Sequence, residues 1–366
     1  MKILHVYKDF YPPVHGGMER HIGLMCRLQR QWAEVEALVC SRSWRTRVAE
    51  RDGTRVTEVG EWFRFQSAPF APLFPWHLRR HDADVVVVHV PNPTAELGWL
   101  LARPPGTLVV RYHSDVVRQA RAMRFYQPFL MKFLRSAAMI LPTSAPYLET
   151  SPVLAGVRER CRVAPLGIVV EEFAHPGGAA VEAVRARYGG AFVLFAGKHR
   201  YYKGLPYLVG AAKELDAPLV IAGDGPERPA CMALAEQLGA QVAFPGALSH
   251  EDLVAHLHAC AVFAFPSVAR SEAFGVSIME AHACGKPVVA TRLGTGVEFI
   301  NRDGETGVNV APRNPAALAA AINGLLADQE RRLRMGAAAK ARIEREFRAE
   351  HVARREFELY QEACGC

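Results

Sequence analysis

AVFAFPSVARSEAFGVSIMEAHACGKPVVAT, residues 261–291, contains one complete structural unit. AVFAFPS (261–267) is a short apolar run that stops at Pro266-Ser267 and reads as a strand. VSIMEAHACG (276–285) reads as a short helix, and KPVVAT (286–291) as the next strand. Two apolar strands joined through a helix make the βαβ unit of a parallel sheet. Strands buried on both faces show continuous apolar runs instead of alternation. Inside the unit, Glu272 and Glu280 frame Phe274-Gly275, and neither has a Lys or Arg beside it in sequence.

The same rhythm extends in both directions. Downstream of residue 190 it is carried by AFVLFAG (191–197), APLVIAG (217–223) and QVAFPG (241–246). Upstream the runs are KILHVY (2–7), VEALVC (35–40), ADVVVVHV (83–90), TLVVRYH (107–113), AMILPT (138–143) and CRVAPL (161–166). Residues 41–82, rich in Arg and aromatics, fit no simple pattern, and the tail from Pro315 is helical in pattern. The turn-rich EEFAHPGGAA (171–180) reads as a linker. With 366 residues, the chain is long for one core. The expected fold is therefore α/β, with two doubly wound Rossmann-like domains meeting near residue 175. In such sheets ligands bind beyond the carboxyl ends of the strands, so a cleft between two facing domains is the expected site.

Composition narrows the function. Half the residues are hydrophobic and 22% are charged, a soluble globular balance. The net charge of +7 is uneven: residues 1–170 carry 23 Lys+Arg against 14 Asp+Glu, and the remainder is close to neutral. A basic half suits anionic lipid or a phosphorylated substrate, and charge alone argues little for nucleic acid. The eight cysteines fall mostly in apolar runs, as reduced thiols do. MKILHVYKDF leads straight into a strand and no apolar run approaches ~18 residues, so a cytoplasmic chain is expected.

Residues just past the strands are the candidates for chemistry. Gly16-Gly17 precedes a helical pattern, a place where backbone N–H groups can approach a phosphate, though it also fits a plain turn. His113 closes TLVVRYH and is followed by Ser114-Asp115; His89 ends the preceding strand and competes for the same role. In GKHRYYKG (197–204), Lys198, Arg200 and Lys203 gather cations at a strand–helix junction. Gly275 opens a helix whose first N–H groups, at Val276 and Ser277, form an anion site. Asp82-Ala83-Asp84 precedes its strand and lies at the wrong end for a metal site. His256, His258 and Cys260, two apart on a helix, do not share a face.

Together these pieces resemble the retaining glycosyltransferases of family 4, which share the GT-B fold. The resemblance covers nearly the whole chain. Its most specific part is the E-x7-E motif in EAFGVSIME (272–280) followed by AHACGKPVVA (281–290). The Gly-Gly loop, H-S-D, PLGIVVEEF, G-x5-K-G, IAGDGPE and FPGALSHEDL follow in the family's order. It implies a first domain over 1–170 that binds the acceptor, with the helix of about 348–366 packing back on it. A donor domain over 171–347 would bind the nucleotide sugar. By the same resemblance Glu272 holds hydroxyls of the donor sugar and Glu280 the ribose. Phe274, Gly275, Val276 and Ser277 bring backbone to the diphosphate, and Lys203 neutralises it. Lys198 stands where the family usually has Arg, keeping the charge but losing the bidentate fork. Gly16 and Gly17 close on the phosphates from the first domain, and His113 hydrogen-bonds the transferred sugar.

Glycosyl transfer places negative charge on the leaving diphosphate, which lysines and helix N–H groups can receive in place of Mg2+. No metal or other cofactor is expected. The segment from YHSDVVRQ to PLGI looks like bacterial mannosyl- and rhamnosyltransferases of surface-polysaccharide synthesis, which implies GDP-mannose or a related GDP-sugar and a glycan or polyprenyl-linked acceptor. A UDP-sugar with a small-molecule acceptor, and a non-catalytic nucleotide-sugar binder, remain as alternatives. VVRQARAMRFYQPFLMKFLRSAA (116–138) interleaves Arg118, Arg121, Arg124, Lys132 and Arg135 with Phe125, Tyr126, Phe129 and Phe133. Such a helix suits peripheral contact with anionic lipid at the inner face of a membrane, and equally a helix with one buried face.

Overall fold

The valine-rich runs become the strands of two parallel sheets, one in each of two units: Met1–Gly167 with Ala349–Cys366, and Ile168–Arg348. The computed structural model describes residues 1–14, 16–65, 68–116 and 120–365, without the side chains of 120–124.

In the first unit the strands are β1 (Lys2–Val6), β2 (Glu34–Cys40), β3 (Arg47–Arg51), β4 (Thr54–Val59), β5 (Phe63–Phe65), β6 (Ala68–Phe70), β7 (Val85–Val90), β8 (Thr107–Tyr112) and β9 (Met139–Pro142). Seven of them form a sheet in the order β3-β4-β2-β1-β7-β8-β9, parallel except for β3 against β4. β5 and β6 make a separate hairpin. The helices are α1 (Gly17–Gln29), α2 (Phe74–Arg80), α3 (Pro93–Ala102), α4 (Ala120–Ser136) and α5 (Ala145–Thr150).

The second unit has β10 (Val193–Ala196), β11 (Leu219–Ala222), β12 (Val242–Gly246), β13 (Val262–Phe265), β14 (Val288–Thr291) and β15 (Gly307–Val310). They pair, all parallel, in the order β12-β11-β10-β13-β14-β15. Around them run α6 (Gly178–Arg187), α7 (Leu205–Ala211), α8 (Arg228–Leu238), α9 (His250–Ala259), α10 (Val276–Ala283), α11 (Gly296–Ile300), α12 (Pro315–Ala327) and α13 (Gln329–Glu346). The last helix, α14 (Ala349–Cys364), belongs to the first unit. It lays Phe357, Leu359 and Tyr360 into the core with Ile3, Val85, Val87 and Val109.

Four details differ from the sequence reading. The stretch 171–180 is not a linker: it contains a 3-10 turn (Val170–Phe173) and the start of α6, and the chain crosses between units at Gly167–Ile168. CRVAPL is no strand; only Cys161 bridges to Ile140. Residues 41–82 hold an edge hairpin, β3–β4, and arginines of this stretch pair with carboxylates: Arg51 of β3 with Glu58 at 3.0 Å, and Arg42 before β3 and Arg64 on β5 with Asp9 at 2.9 and 2.8 Å. Six cysteines are free and buried as expected, but Cys364 is disulfide-bonded.

Each sheet reverses direction of winding once. β1 has β2 on one side and β7 on the other, and β10 has β11 and β13. These are the two switch points, where the loops leaving neighbouring strands diverge and open a crevice.

Candidate active site

In the second unit the switch point is built by the loops after β10 and β13. Their backbones meet closely: Val268 N–H donates to Tyr202 C=O at 2.7 Å, and a Cβ on Gly204 would run into the carbonyl of Pro266. That approach brings Lys203 to Glu272. Lys203 Nζ lies 2.5 Å from Glu272 Oε2, with 11% and 10% of the side chains exposed. Ser267 Oγ donates to the same oxygen at 3.0 Å. Lys203 Nζ also lies 4.7 Å from the centre of the Phe265 ring, a cation–π contact. The acid that lacks a basic neighbour in sequence therefore has one in space. Glu280, half-buried on α10, is not without a partner either.

α10 begins at this pair. Gly275 holds φ 102° and ψ 60°, a left-handed conformation that lets the chain turn from the Glu272 loop into the helix. No side chain caps the helix, and its first residues, Val276 and Ser277, are half-buried. Their N–H groups have no partner within the helix, as at any helix N-terminus. Phe274 is buried and seated on Gly296. Lys198 is exposed on the loop after β10.

Three contributors here were not singled out from sequence. His199, fully buried, donates its backbone N–H to Asp224 C=O at 2.8 Å and so ties the loop after β10 to the Gly223–Gly225 loop after β11. Ser267 orients Glu272. After β14, Thr295 and Glu298 form a capping box at the start of α11, and the T-x-x-E spacing of TGVE (295–298) is a signal that could have found it.

In the first unit, Gly16 is the N-cap of α1 and Gly17 its first residue. A Cβ on Gly16 would strike the Glu19 carboxylate, so a side chain of the helix's own first turn explains that glycine without a ligand. His113 follows β8, is 4% exposed, and stacks on His89 at 5.2 Å between ring centres. Burial and the nearby Arg111 hold the His113 imidazole well below its ordinary pKa, so it is neutral at pH 7. The competition between His89 and His113 resolves into a hydrogen bond: His89 Nδ1 and His113 Nε2 are 2.9 Å apart.

Asp82 and Asp84 sit before β7, at the amino end of the sheet, where both bond Lys2. His256 Nδ1 bonds the Asp252 carbonyl at 2.6 Å and His258 Nε2 that of Phe173 at 2.8 Å. Among the described residues no cluster of His, Cys, Asp and Glu is placed to hold a metal ion, and no helix is long and apolar enough to cross a membrane. On α4, Phe125 and Phe129 are exposed while Leu130, Phe133 and Leu134 are buried. Arg118 and the side chains of Arg121 and Arg124 lie outside the described residues. The larger apolar exposure is on the β5–β6 hairpin and α2, where Trp62, Phe63, Phe65, Leu73 and Trp76 each expose half or more of their surface.

Known proteins match the chain throughout. Residues 15–172 match the family model described as glycosyltransferase family 4, and residues 181–342 that of glycosyl transferases group 1. O-antigen chain mannosyltransferase C of Escherichia coli is 34% identical, over 98% of both chains. D-rhamnosyltransferase WbpZ of Pseudomonas aeruginosa is 36% identical, over 95% of this chain and 93% of its own. GDP-mannose-dependent alpha-(1-6)-phosphatidylinositol monomannoside mannosyltransferase of Mycolicibacterium smegmatis is 29% identical over 92% of each. Among solved structures, sucrose-phosphate synthase of Thermosynechococcus elongatus superposes with a TM-score of 0.82 at 23% identity, over 99% and 98% of the two chains. That likeness is one of fold, the GT-B fold.

Proposed function

Since the chain belongs to the family 4 glycosyltransferases, we propose that it transfers a hexose from GDP-mannose or a related GDP-sugar to a glycan or polyprenyl-linked acceptor of surface-polysaccharide synthesis. The observation that carries this reading is the match, over nearly the whole chain, to a mannosyltransferase and a rhamnosyltransferase. The mycobacterial relative whose name specifies GDP-mannose supports the choice of donor.

The site supplies what the chemistry needs. As the bond from the sugar's anomeric carbon to the diphosphate breaks, its electron pair leaves with the diphosphate. Lys203, Lys198 and the N–H groups of Val276 and Ser277 receive that charge, backbone donors costing no reorganisation at the moment of reaction. This proposal needs no metal. Phe274 and Gly275 hold the turn in place, Glu280 takes the ribose, and Glu272 takes sugar hydroxyls once the diphosphate has drawn Lys203 from it. In the first unit, His113 hydrogen-bonds the transferred sugar, and the Gly16–Gly17 turn faces a phosphate. The acceptor oxygen attacks the face that the diphosphate leaves. Its proton passes to a diphosphate oxygen, and the anomeric configuration is retained. Peripheral contact with anionic membrane is carried by the aromatic hairpin and α2 together with Phe125 and Phe129.

A thermal-shift screen of GDP-, UDP- and ADP-sugars tests the donor, with stabilisation by GDP-sugars expected; a shift confined to UDP-sugars overturns it. NMR assignment of the product anomer tests the mechanism, and an inverted product rules out same-face attack.

A further inference from the structure

Three neighbouring strands of the first unit carry a histidine at or just past their carboxyl ends, among largely apolar residues. His5 lies on β1 and His89 on β7, each one residue from the strand end, and His113 directly follows β8. β1, β7 and β8 are neighbours, and their register sets His5 beside Val87 and His89 beside Arg111. Side chains alternate along a strand, so the three rings share the face with Val87, Val109 and Arg111, which α1 and α14 cover. They form an unbroken hydrogen-bonded chain. Gln29 Oε1 is 2.9 Å from His5 Nε2, His5 Nδ1 is 3.0 Å from His89 Nε2, and His89 Nδ1 is 2.9 Å from His113 Nε2. Gln29, His5 and His89 are fully buried.

Such rings stay neutral. Burial lowers the pKa of His5 to about 4. Burial, and after it the neighbouring histidines and Arg111, holds His89 well below the ordinary value. Other polar groups packed around the chain among the described residues include Tyr7, His21, Glu356 and Tyr360; Tyr7 meets His89 edge-on at 6.1 Å, and Glu356 is ion-paired to Arg111 at 3.0 Å.

A neutral imidazole has one N–H and one bare nitrogen. In a chain of them, the direction of one hydrogen bond dictates every other, and the terminal group decides it. Here that group is Gln29. Its carbonyl oxygen, which can only accept, is the atom set 2.9 Å from His5 Nε2. His5 then carries its proton on Nε2, and the alternation passes through His89.

We infer that Gln29 sets the tautomer of His113 through His5 and His89, fixing the proton on Nε2 and leaving Nδ1 a bare acceptor. The consequence for catalysis rests on the reading that His113 meets the transferred sugar. There a bare Nδ1 accepts a hydrogen bond from a sugar hydroxyl, and a neutral ring adds no positive charge beside a sugar that is itself becoming positive. Gln29, His5 and His89 act through His113 and are positioning residues.

The test is the 15N spectrum of the full chain labelled at histidine, recorded at neutral pH without donor, in which protonated and bare ring nitrogens are distinguished. Wild-type His5, His89 and His113 are expected as the Nε2-protonated tautomer. Gln29→Leu and His89→Leu are expected to turn His113 into a mixture and to lower kcat about tenfold, the worth of one positioned hydrogen bond, with donor KM little changed. His89→Gln, whose amide offers a donor nitrogen and an acceptor oxygen in place of the two ring nitrogens, is expected to restore both. A wild-type His113 protonated on Nδ1 overturns the inference whether or not the variants fold, and so does a tautomer unmoved in both leucine variants. A shifted tautomer with unchanged kcat supports the relay and overturns instead the reading of His113 as the sugar's partner.

Discussion

Glu272→Gln is expected to tighten the binding of the product nucleotide while abolishing turnover. Without donor, Lys203 and Glu272 hold each other at 2.5 Å in a site about nine-tenths enclosed. At an effective dielectric near 20, unit charges even 4 Å apart attract by about 4 kcal/mol. Desolvation of both groups offsets much of that, leaving roughly 1–3 kcal/mol net. A diphosphate that approaches Lys203 must displace the carboxylate and also meets its repulsion. Glutamine retains an oxygen for the Ser267 hydroxyl but carries no charge, so both obstacles go. Recovering about 1.4 kcal/mol is tenfold in Kd, measured by titration calorimetry with GDP. Lys203→Met is expected to weaken GDP by a similar factor. Glu272→Gln also leaves an ammonium unpaired at about 3 kcal/mol, which for a unit of this size lowers Tm by roughly 6–12 °C. A folded Glu272→Gln protein that binds GDP no more tightly than wild type would refute the argument, because Lys203 would then not be the group the diphosphate seeks.

The remaining expectations concern the fold, its pH range and the membrane face. His5 and His282, one in each unit, titrate at about 4 and about 3 because both are buried, below the 6.5 of an unfolded histidine. The unfolded chain therefore binds more protons as pH falls below 6.5. The stability these groups contribute is complete above that pH and declines toward pH 4, by about 1.4 kcal/mol per pH unit for each; a urea midpoint that stays flat from pH 7 to 5 contradicts this. Gly204 and Gly239 have similar φ, +67° and +60°, but only at Gly204 would a Cβ meet backbone. Gly239→Ala is expected to cost about 1 kcal/mol with activity retained, and Gly204→Ala several times that with loss of turnover; equal denaturation midpoints would contradict the loop contact. Replacing Phe63 and Phe65 by serine is expected to reduce flotation with anionic vesicles at low salt more than replacing Phe125 and Phe129; the reverse order would return the membrane contact to α4.

The sequence by itself determined the two parallel sheets. Strands buried on both faces must be apolar along their length, and VVVV in β7 and VLFA in β10 show that pattern. It also marked the E-x7-E turn, because Gly275 between two acids is a local pattern. Polar edges were not legible: Arg47–Arg51 forms a strand because Thr54–Val59 offers it a partner, and its solvated side chains carry no apolar signal. CRVAPL failed in the opposite sense, being apolar enough for a strand without pairing as one. Tertiary structure alone decided which side chains meet. Glu272 looks unpaired along the chain, and its lysine arrives on another loop because β10 and β13 are neighbours at the switch point. His5, His89 and His113 each read as a solitary histidine in an apolar run. They form a chain only because the sheet sets β1, β7 and β8 side by side, and hydrogen bonds between side chains depend on that adjacency and not on distance along the sequence.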